Sequence, residues 1–284
     1  MNILVLGATG MAGHIISIYL SQIGYNVHTF SRSSFPFCYN IVGNICDNND
    51  FLKKIDLNNY DVIINCIGIL NQNAENNLAN AILLNSYLPH RIVEELSGSR
   101  TKLIHLSTDC VFNGKTGPYI ESSLSDGTSI YDKTKALGEV FSNKHLTFRN
   151  SIIGPDMKSD GIGLFNWFMS QTSQIQGYSN VIWNGVTTLT LAKAINHAII
   201  ENISGIYHLV NNNSISKFDL LNLFNKHFKV KAIEIVKNER ISINKTLINT
   251  RSDFSFNVPS YEEMLVELKD WILKNKNLYP HYKI

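Results

Sequence analysis

The sequence predicts an α/β fold in which a doubly wound parallel sheet comes first and a smaller α/β C-terminal lobe follows. Up to residue 153, short apolar runs alternate with segments whose apolar residues recur at helical spacing. The runs are apolar on both faces, as strands are when helices cover both sides of a sheet. Right-handed crossovers join strands that alternate with helices, so the sheet is expected to be mostly parallel.

The predicted elements of the first part follow one another at short intervals. Strands are predicted at residues 2–6, 26–30, 40–42, 61–64, 102–106 and 146–149. Helices are predicted at residues 11–22, 51–55, 76–96 and 131–141, with a restart of the third after Pro89 left open. Ligands of such sheets bind at the carboxyl ends of the strands, so the turns there are the first places to search for a site.

Past residue 153 the alternation becomes irregular, because glycine and proline interrupt it. Helices are predicted at 164–169, 216–228 and from residue 260 to 274, and a strand at 205–210. Ser216 fits the N-cap of its helix, and Ser260 with Glu263 forms a capping box. We therefore divide the chain into residues 1–153 and residues 154–284, and part of the later chain is free to return to the first sheet.

Composition excludes several classes of protein. The 284 residues are 44 % hydrophobic and 17 % charged, which is typical of a folded globular chain. The formal net charge of +2 is too balanced for a protein whose work is to grip nucleic acid through its phosphates. No apolar run reaches the ~20 residues that a membrane-spanning helix needs, and no signal peptide is visible, so we expect a cytoplasmic protein with no membrane partner.

The four cysteines form no CxxC pair and no zinc-ligand spacing. Free thiols in a reducing compartment are therefore expected, and no metal site.

Gly7, Gly10 and Gly13 form a GxxGxxG turn between the first predicted strand and the first predicted helix. Side chains at these positions would block the turn and the close approach of a pyrophosphate. The helix N-terminus offers unpaired N–H groups and the positive end of its dipole to an anion. In this context the pattern predicts a Rossmann-type dinucleotide-binding domain; a purely structural turn is the alternative.

The end of the second strand indicates which dinucleotide binds. An Asp or Glu there would bind the ribose 2′-hydroxyl of NAD, but this chain has Ser31 and Arg32. A guanidinium with hydroxyls beside it suits a 2′-phosphate. NADPH is therefore predicted, NADH is left open, and the competing interpretation is that Arg32 is an ordinary surface cation.

Tyr131 and Lys135 form a YxxxK pair on one face of a predicted helix. A tyrosine with a pKa near ~10 is a poor acid–base group at neutral pH, but a neighbouring ammonium lowers that pKa. The phenol can then pass a proton to a carbonyl oxygen. Thr108, at the carboxyl end of the strand 102–106, could donate a second hydrogen bond to the same oxygen. An exposed helix face is the alternative for the pair.

Taken together, these residues resemble the extended short-chain dehydrogenase/reductases and, more narrowly, the dTDP-4-dehydrorhamnose reductase (RmlD-like) family. The resemblance covers almost the whole chain. Further matching segments are 62–66, residue Asn85, 107–114 (STDCVFNG, against STDYVF in the family), 148–151 (FRNS), 206–210 (IYHLV) and 249–250.

The resemblance implies an NADPH-dependent reductase that acts on a nucleotide-sugar. Hydride would pass to the C4 carbonyl of the sugar, and Tyr131 would protonate the new alkoxide, with Thr108 and Lys135 completing a catalytic triad. The implied cofactor-binding residues are Gly7, Thr9, Gly10, Met11, Ala12, Ser31, Arg32, Asn44, Ile45, Cys66, Ile67, Gly68, Asn85, Leu106, Tyr131 and Lys135. The implied substrate-binding residues are Thr108, Asp109, Asn184 and Thr188.

The chain departs from the family at three places. Ile152 stands where rhamnose members usually have a tryptophan, and the Gly-x-Pro-Thr loop has become 185–188, GVTT. Ile15 replaces a glutamate of the first helix, so a metal-assisted dimer is not supported and a homodimer is left open. Because these changes affect the sugar side, we expect a different keto-sugar, such as a UDP-linked 2-acetamido-2,6-dideoxyhexos-4-ulose, used in surface polysaccharide biosynthesis.

Three other functions occur on the same fold: those of a 4,6-dehydratase, a 4-epimerase and a non-catalytic subunit. A 4,6-dehydratase needs a carboxylate directly after the Thr-Asp pair, where this chain has Cys110. A 4-epimerase usually has an acidic residue after the second strand, where this chain has Arg32. A non-catalytic regulatory subunit like the methionine adenosyltransferase β subunit is the strongest alternative, and the intact triad argues for an enzyme.

Overall fold

A computed structural model describes residues 1–47 and 55–284. Its strands are β1 (Asn2–Leu6), β2 (Asn26–Ser31), β3 (Tyr39–Val42), β4 (Val62–Asn65), β5 (Lys102–Leu106), β6 (Leu146–Arg149), β7 (Ile152–Ile153), β8 (Ile175–Tyr178), β9 (Val181–Trp183), β10 (Val186–Thr187), β11 (Gly205–His208), β12 (Ile215–Ser216), β13 (Ile235–Asn238) and β14 (Ile243–Asn244).

The α-helices are α1 (Met11–Gln22), α2 (Asn71–Asn76), α3 (Leu78–Ala81), α4 (Leu88–Glu95), α5 (Ile130–Leu137), α6 (Leu164–Ser170), α7 (Thr188–Ile200), α8 (Lys217–Phe228) and α9 (Tyr261–Lys274). A π-helical turn, Ile82–Tyr87, joins α3 to α4. Short 3₁₀ turns lie at Ile45–Asp47, Leu57–Asn59, Asp109–Val111 and Lys276–Leu278. Among the described residues, no helix is both long and apolar enough to cross a membrane.

The central sheet has seven parallel strands in the order β11-β6-β5-β4-β1-β2-β3. The chain builds outward from β1 to β3, then returns to the other side of β1 with β4. This reversal opens a crevice between the carboxyl ends of β1 and β4, where ligands of such sheets bind. The predicted fold class, a Rossmann-type doubly wound sheet, is confirmed.

Alternation along β1 explains why the sheet is covered on both faces. Ile3 and Val5 belong to one apolar cluster, which also contains buried residues of α1 and α7. Leu4 and Leu6 belong to a second cluster on the opposite face, together with residues of α4. Because successive side chains of a strand point to opposite faces, one apolar run stabilises two layers.

The later part of the chain is divided between the central sheet and smaller sheets. β11 pairs with β6, and α7 lies against α1, so both elements complete the first layer system. The rest forms short sheets: β8 with β13, β9 between β12 and β14, and β7 with β10. The first apolar cluster continues from β1 into α6, α8 and α9, so one core joins the two parts.

The structure differs from the predicted elements in detail. The predicted helix 76–96 is several short helices, because the π-helical turn interrupts it before Pro89. The helix of Tyr131 ends at Leu137, since a Cβ on Gly138 would lie 1.8 Å from the Asn85 carbonyl oxygen. The predicted strand 205–210 ends at His208. Residues 51–54 of the predicted helix 51–55 lie outside the described residues.

The predicted caps are confirmed. The Ser216 side chain accepts a hydrogen bond from the backbone of Asp219, and Ser260 with Glu263 forms both halves of a capping box.

Candidate active site

The glycine loop after β1 owes its shape to two positions. Gly7 has a φ of +87°, in the left-handed region that favours glycine. Its N–H donates to the Phe30 carbonyl oxygen at 2.8 Å, which ties the loop to β2. A Cβ on Gly13 would lie 2.2 Å from the Gly7 carbonyl oxygen, so only glycine allows α1 to approach this closely.

The first turn of α1 is open to an anion. Gly10 is the N-cap and has no side chain that could satisfy the first N–H groups. No carboxylate occupies the first turn, and Gly10 is exposed while Thr9 and Met11 are half-buried. Ala12 is buried against the sheet. A helix start of this kind, beside the crevice between β1 and β4, fits a dinucleotide pyrophosphate.

At the end of β2, Arg32 is exposed and Ser31 is not. The Ser31 hydroxyl lies 2.7 Å from the Ser33 carbonyl oxygen and 2.9 Å from Asn40 Oδ1, so it is engaged within the protein. Of the two residues predicted to bind the 2′-phosphate, only Arg32 has its polar end in solvent.

The segment after β3 lies along the same edge. The Asn44 amide donates to Asp47 Oδ1 at 2.8 Å and accepts from the Cys46 N–H at 3.2 Å, which shapes the 3₁₀ turn. Ile45 is buried in the second apolar cluster, with Phe30. The structure therefore places the predicted cofactor-binding residues Asn44 and Ile45 beside the edge strand of the sheet, with the Ile45 side chain turned into the core.

The segment after β4 lies directly against the glycine loop. The Cys66 N–H donates to the Leu6 carbonyl oxygen at 3.0 Å, and a Cβ on Gly7 would lie 3.1 Å from Ile67 Cγ1. Burial raises the pKa of the Cys66 thiol to about 12, so the thiol is neutral. The predicted residues 66–68 thus form the second wall of the crevice.

Asn85, in the π-helical turn, connects this wall to the helix of Tyr131. Its Oδ1 accepts the Ile69 N–H at 2.9 Å, and its Nδ2 donates to the Ile69 carbonyl oxygen at 3.0 Å and to Thr134 Oγ1 at 3.1 Å. Asn85 thus positions two segments: both of its N–H groups donate within the protein, and its oxygen accepts one hydrogen bond.

Lys135 lies buried behind the loop, one turn after Tyr131. Its Nζ donates to the Leu106 carbonyl oxygen at 2.6 Å and lies 3.5 Å from Nε2 of His105. Burial lowers the pKa of the ammonium to about 8, and the carboxylate of Glu139 opposes this shift. Beyond these two contacts, the ammonium keeps at least one proton for a ribose or a phenol.

Tyr131 and Thr108, the other two members of the predicted triad, interact with each other. Burial raises the pKa of the Tyr131 phenol, while a hydrogen bond with the Thr108 hydroxyl favours its ionised form. The Thr108 hydroxyl donates to Asp109 Oδ1 at 3.1 Å and accepts from the Cys110 N–H at 3.1 Å. To donate to a substrate carbonyl, this hydroxyl must turn from Asp109, whereas its accepting contact can remain.

A buried ion pair between Glu139 and Arg149, close in sequence to the triad segments, was not predicted from the sequence. Glu139 accepts two hydrogen bonds from the Arg149 guanidinium, each 2.7 Å long, and a third from the Ser107 hydroxyl at 2.7 Å. Ser107 precedes Thr108, and Glu139 lies one turn after Lys135. The pair thus links the two chain segments that carry the triad, but its members are far apart in sequence and form no local motif.

Lys217, at the start of α8, was also missed. Its Nζ lies 4.7 Å from the centroid of the Trp183 ring. Burial lowers the pKa of the ammonium to about 8, and the Asp109 carboxylate opposes this shift. Lys217 therefore brings a cation from the second part of the chain towards the residue next to Thr108.

The remaining predicted substrate residues are buried. The Asn184 amide accepts the Leu247 N–H at 3.1 Å and donates to its carbonyl oxygen at 2.6 Å. Thr188 Oγ1 has no hydrogen-bond partner within the described residues, and a Cβ on Gly154 would lie 2.0 Å from it. Substrate contact by these two residues stays a prediction.

A doubly wound sheet with a dinucleotide loop, and a Tyr–Lys pair beside a strand-end threonine, define the class of NAD(P)H-dependent oxidoreductases. A family model described as "RmlD substrate binding domain" matches residues 1–250. The chain belongs to that family, which confirms the predicted RmlD-like resemblance.

Two curated relatives match most of the chain. The spore coat polysaccharide biosynthesis protein SpsK of Bacillus subtilis (strain 168) is 28 % identical over 225 residues, which is 77 % of this chain and 76 % of that protein. A dTDP-4-keto-6-deoxy-D-glucose reductase of Streptomyces niveus is 25 % identical over 224 residues, 76 % of this chain and 75 % of that protein. The second name agrees with the predicted class, an oxidoreductase.

A third relative bears on the regulatory alternative. The methionine adenosyltransferase 2 subunit beta of Xenopus tropicalis is 28 % identical over 141 residues, but covers only 48 % of this chain and 41 % of that protein.

Among solved structures, dTDP-4-dehydrorhamnose reductase from Bacillus anthracis str. Ames, in complex with NADP, superposes with a TM-score of 0.77 at 20 % identity. The match covers 96 % of this chain and 99 % of that one. At this identity the likeness establishes the fold.

Proposed function

We propose that this protein is an NADPH-dependent reductase of the 4-keto group of a nucleotide-activated 6-deoxyhexose, and that it works in surface polysaccharide biosynthesis. The observation that carries the proposal is the position of Lys135: its buried ammonium donates to the Leu106 carbonyl oxygen at the end of β5, and its charge acts on the Cys66 thiol in the wall of the crevice. The names of the curated relatives support the reaction and the pathway.

The crevice has room for a dinucleotide because Gly7 and Gly13, which larger residues could not replace without strain, keep the loop tight. The Gly7–Gly13 approach leaves the helix start open, and Arg32 supplies an exposed guanidinium for a 2′-phosphate. Residues 66–68 would line the other side. When bound, the dinucleotide supplies a hydride, and the protein supplies the proton and the geometry.

In the proposed reaction Tyr131 is the proton donor. The sequence predicted that a neighbouring ammonium lowers the pKa of this phenol, but burial raises it. The phenol is therefore protonated near neutral pH, and a proton is available for the carbonyl oxygen of the sugar. The Lys135 ammonium stabilises the phenolate left behind. The Thr108 hydroxyl donates a second hydrogen bond to the same oxygen when it leaves Asp109.

The keto-sugar itself is the finer part of the proposal. Ile152 and the loop 185–188, where this chain departs from the family, support a sugar that differs from dTDP-4-dehydrorhamnose, such as a UDP-linked 2-acetamido-2,6-dideoxyhexos-4-ulose. Steady-state kinetics with both sugars and NADPH decide between them. A higher kcat/KM for the dTDP sugar would refute the UDP assignment while leaving the reductase intact.

The cofactor is tested on the purified protein with NADPH and NADH. Replacing Arg32→Ala should raise the Kd for NADPH by about 10- to 100-fold and leave that for NADH unchanged, because a charged hydrogen bond to the 2′-phosphate is lost. Arg100→Ala is the matched control. Arg100 is also exposed, but it precedes β5 and so lies at the amino ends of the strands, away from the carboxyl ends where the cofactor would bind. Equal effects of Arg32→Ala on the two nucleotides would refute the 2′-phosphate contact.

A further inference from the structure

The C-terminal tail, for which the sequence alone suggests no role, lies against the nucleotide loop. Tyr279 is 2 % exposed and its hydroxyl is 2.8 Å from Nε2 of His14, in the first turns of α1. On its other side, Nδ1 of His14 is 2.8 Å from the Gly10 carbonyl oxygen. A single imidazole thus joins residue 279 to the N-cap of the helix that opens on the crevice.

The donor and acceptor of each hydrogen bond that joins Gly10, His14, Tyr279 and Trp271 can be assigned. A carbonyl oxygen can only accept, so His14 Nδ1 carries the proton and donates to Gly10. Burial lowers the pKa of His14 to about 4, so the ring is neutral and Nε2 accepts from the Tyr279 hydroxyl. The Tyr279 oxygen in turn accepts from Trp271 Nε1 at 3.1 Å. All the polar atoms are satisfied, which favours one rigid arrangement.

The tail has two arms: the contacts of Tyr279 form the first, and those of Tyr282 form the second. The second arm holds residues 156–166, the segment that faces the nucleotide loop. The Tyr282 hydroxyl accepts the Asp156 N–H at 2.9 Å and donates to Asn166 Oδ1 at 2.7 Å. The Asn166 amide then donates to the Gly161 carbonyl oxygen at 2.7 Å. A Cβ on Gly163 would lie 3.0 Å from Met11 Sδ, so this segment contacts the first residue of α1.

The two arms act as one unit. The rings of Tyr279 and Tyr282 are stacked, with centroids 6.0 Å apart and an interplanar angle of 22°. The Tyr279 arm ends on Gly10, the N-cap of α1, and the Tyr282 arm ends on the segment next to Met11. Within the part of the chain that the structure describes, neither arm contacts Lys135, whose ammonium binds the Leu106 carbonyl oxygen. Rigidity of a binding loop lowers the entropic cost of binding, so such contacts act on affinity.

We propose that Tyr279 and Tyr282 form an aromatic clasp that positions the nucleotide loop and so determines how tightly the dinucleotide binds. They are positioning residues, acting through His14 and Asn166. The inference rests on the proposed function, because it takes the crevice beside Gly10 as the site of NADPH.

Tyr279→Phe tests the clasp directly, since it removes only the hydroxyl. The Kd for NADPH, measured by calorimetry on the full chain, should rise about 3- to 10-fold, as expected for loss of buried neutral hydrogen bonds. KM for NADPH should rise in parallel, while kcat and KM for the sugar change little.

Tyr25→Phe is the matched control. The Tyr25 hydroxyl donates to Asn196 Oδ1 at 2.9 Å near the other end of α1, so it also ties this helix to a neighbour, but far from the loop. Both variants should lose thermal stability, and only Tyr279→Phe should lose affinity. Equal Kd values for NADPH in the two variants would overturn the clasp.

The outcomes separate the clasp from the proposed function. A wild-type protein that does not bind NADPH refutes the proposed function. A wild-type protein that binds, with unchanged affinity in Tyr279→Phe, refutes the clasp alone. If Tyr279→Phe does not fold, Trp271→Phe and Tyr282→Phe each remove one member of an arm, and unchanged Kd values in both refute the clasp equally.

Discussion

The two parts of this molecule acquire their functional residues in different ways. In the first part, most predicted cofactor-binding segments lie at the carboxyl ends of strands of one parallel sheet, so segments 7–13, 31–32 and 66–68 meet because neighbouring strands end at one edge. The helix α5 adds Tyr131 and Lys135. In the second part, β8 pairs with β13 and β9 pairs with β12 and β14. Its site residues therefore depend on pairings between segments that are distant in sequence.

This difference explains why the cofactor side could be predicted more fully than the sugar side. Arg32 was found from its position at the end of a strand, a rule that holds for all such sheets. Lys217 has no comparable rule, because it reaches the neighbourhood of Asp109 only when α8 packs beside Trp183. Three experiments test this difference between the cofactor side and the sugar side.

The largest effect is expected from Tyr131→Phe. Removal of the phenol proton should lower kcat about 10²- to 10⁴-fold, the usual contribution of a general acid. Binding of NADPH, measured by calorimetry, should be almost unchanged, because the phenyl ring still fills its buried position.

The same variant tests the regulatory alternative. Near wild-type turnover by Tyr131→Phe would remove this residue from the mechanism. A wild-type protein that binds NADPH but reduces no nucleotide-sugar would favour a regulatory subunit.

A smaller effect is expected from Lys217→Met, which keeps the length of the side chain and removes its charge. KM for the sugar should rise about 10- to 100-fold, because a charged hydrogen bond is lost, while the Kd for NADPH stays the same. Lys226→Met, on the same helix, is the control: Lys226 is exposed and pairs with Glu262. If both variants leave KM for the sugar unchanged, Lys217 is not part of the sugar site.

The smallest effect concerns pH. Lys135 must stay an ammonium to stabilise a phenolate, and burial lowers its pKa to about 8. Its proton is lost as pH rises through that value, so kcat should fall on the alkaline side.

The control for this profile is Lys135→Arg, whose guanidinium stays charged and should shift the decline to higher pH. Lys217 has a similarly lowered pKa, so Lys217→Met must keep the decline in kcat if Lys135 is its source. If the alkaline decline in kcat disappears in Lys217→Met, its source is Lys217 and not Lys135.

Within the first part, prediction was limited where one side chain can serve two partners. The sequence placed Ser31 with Arg32 towards a phosphate, and in the structure the Ser31 hydroxyl also lies 2.9 Å from Asn40 Oδ1 of the neighbouring strand. Asn85 was predicted to bind the cofactor, and its amide also connects Ile69 with Thr134. Cofactor contact by both residues stays a prediction. A strand-end position predicts where a residue lies, and not which neighbour takes its hydrogen bonds.

Local sequence patterns were enough to predict the sheet, the glycine loop and the Tyr131–Lys135 pair, because strand alternation, helical spacing and the need for glycine act over a few neighbouring residues. The surroundings of these elements became visible only in the folded chain: the ion pair of Glu139 and Arg149, the cation at Lys217 and the contact of Tyr279 with His14. Tyr279 and His14 are far apart in the chain, and they meet only when later elements pack on the first sheet, as do Lys217 and Trp183. Glu139 and Arg149 lie closer in sequence, and their pairing depends on how the chain turns from α5 into β6.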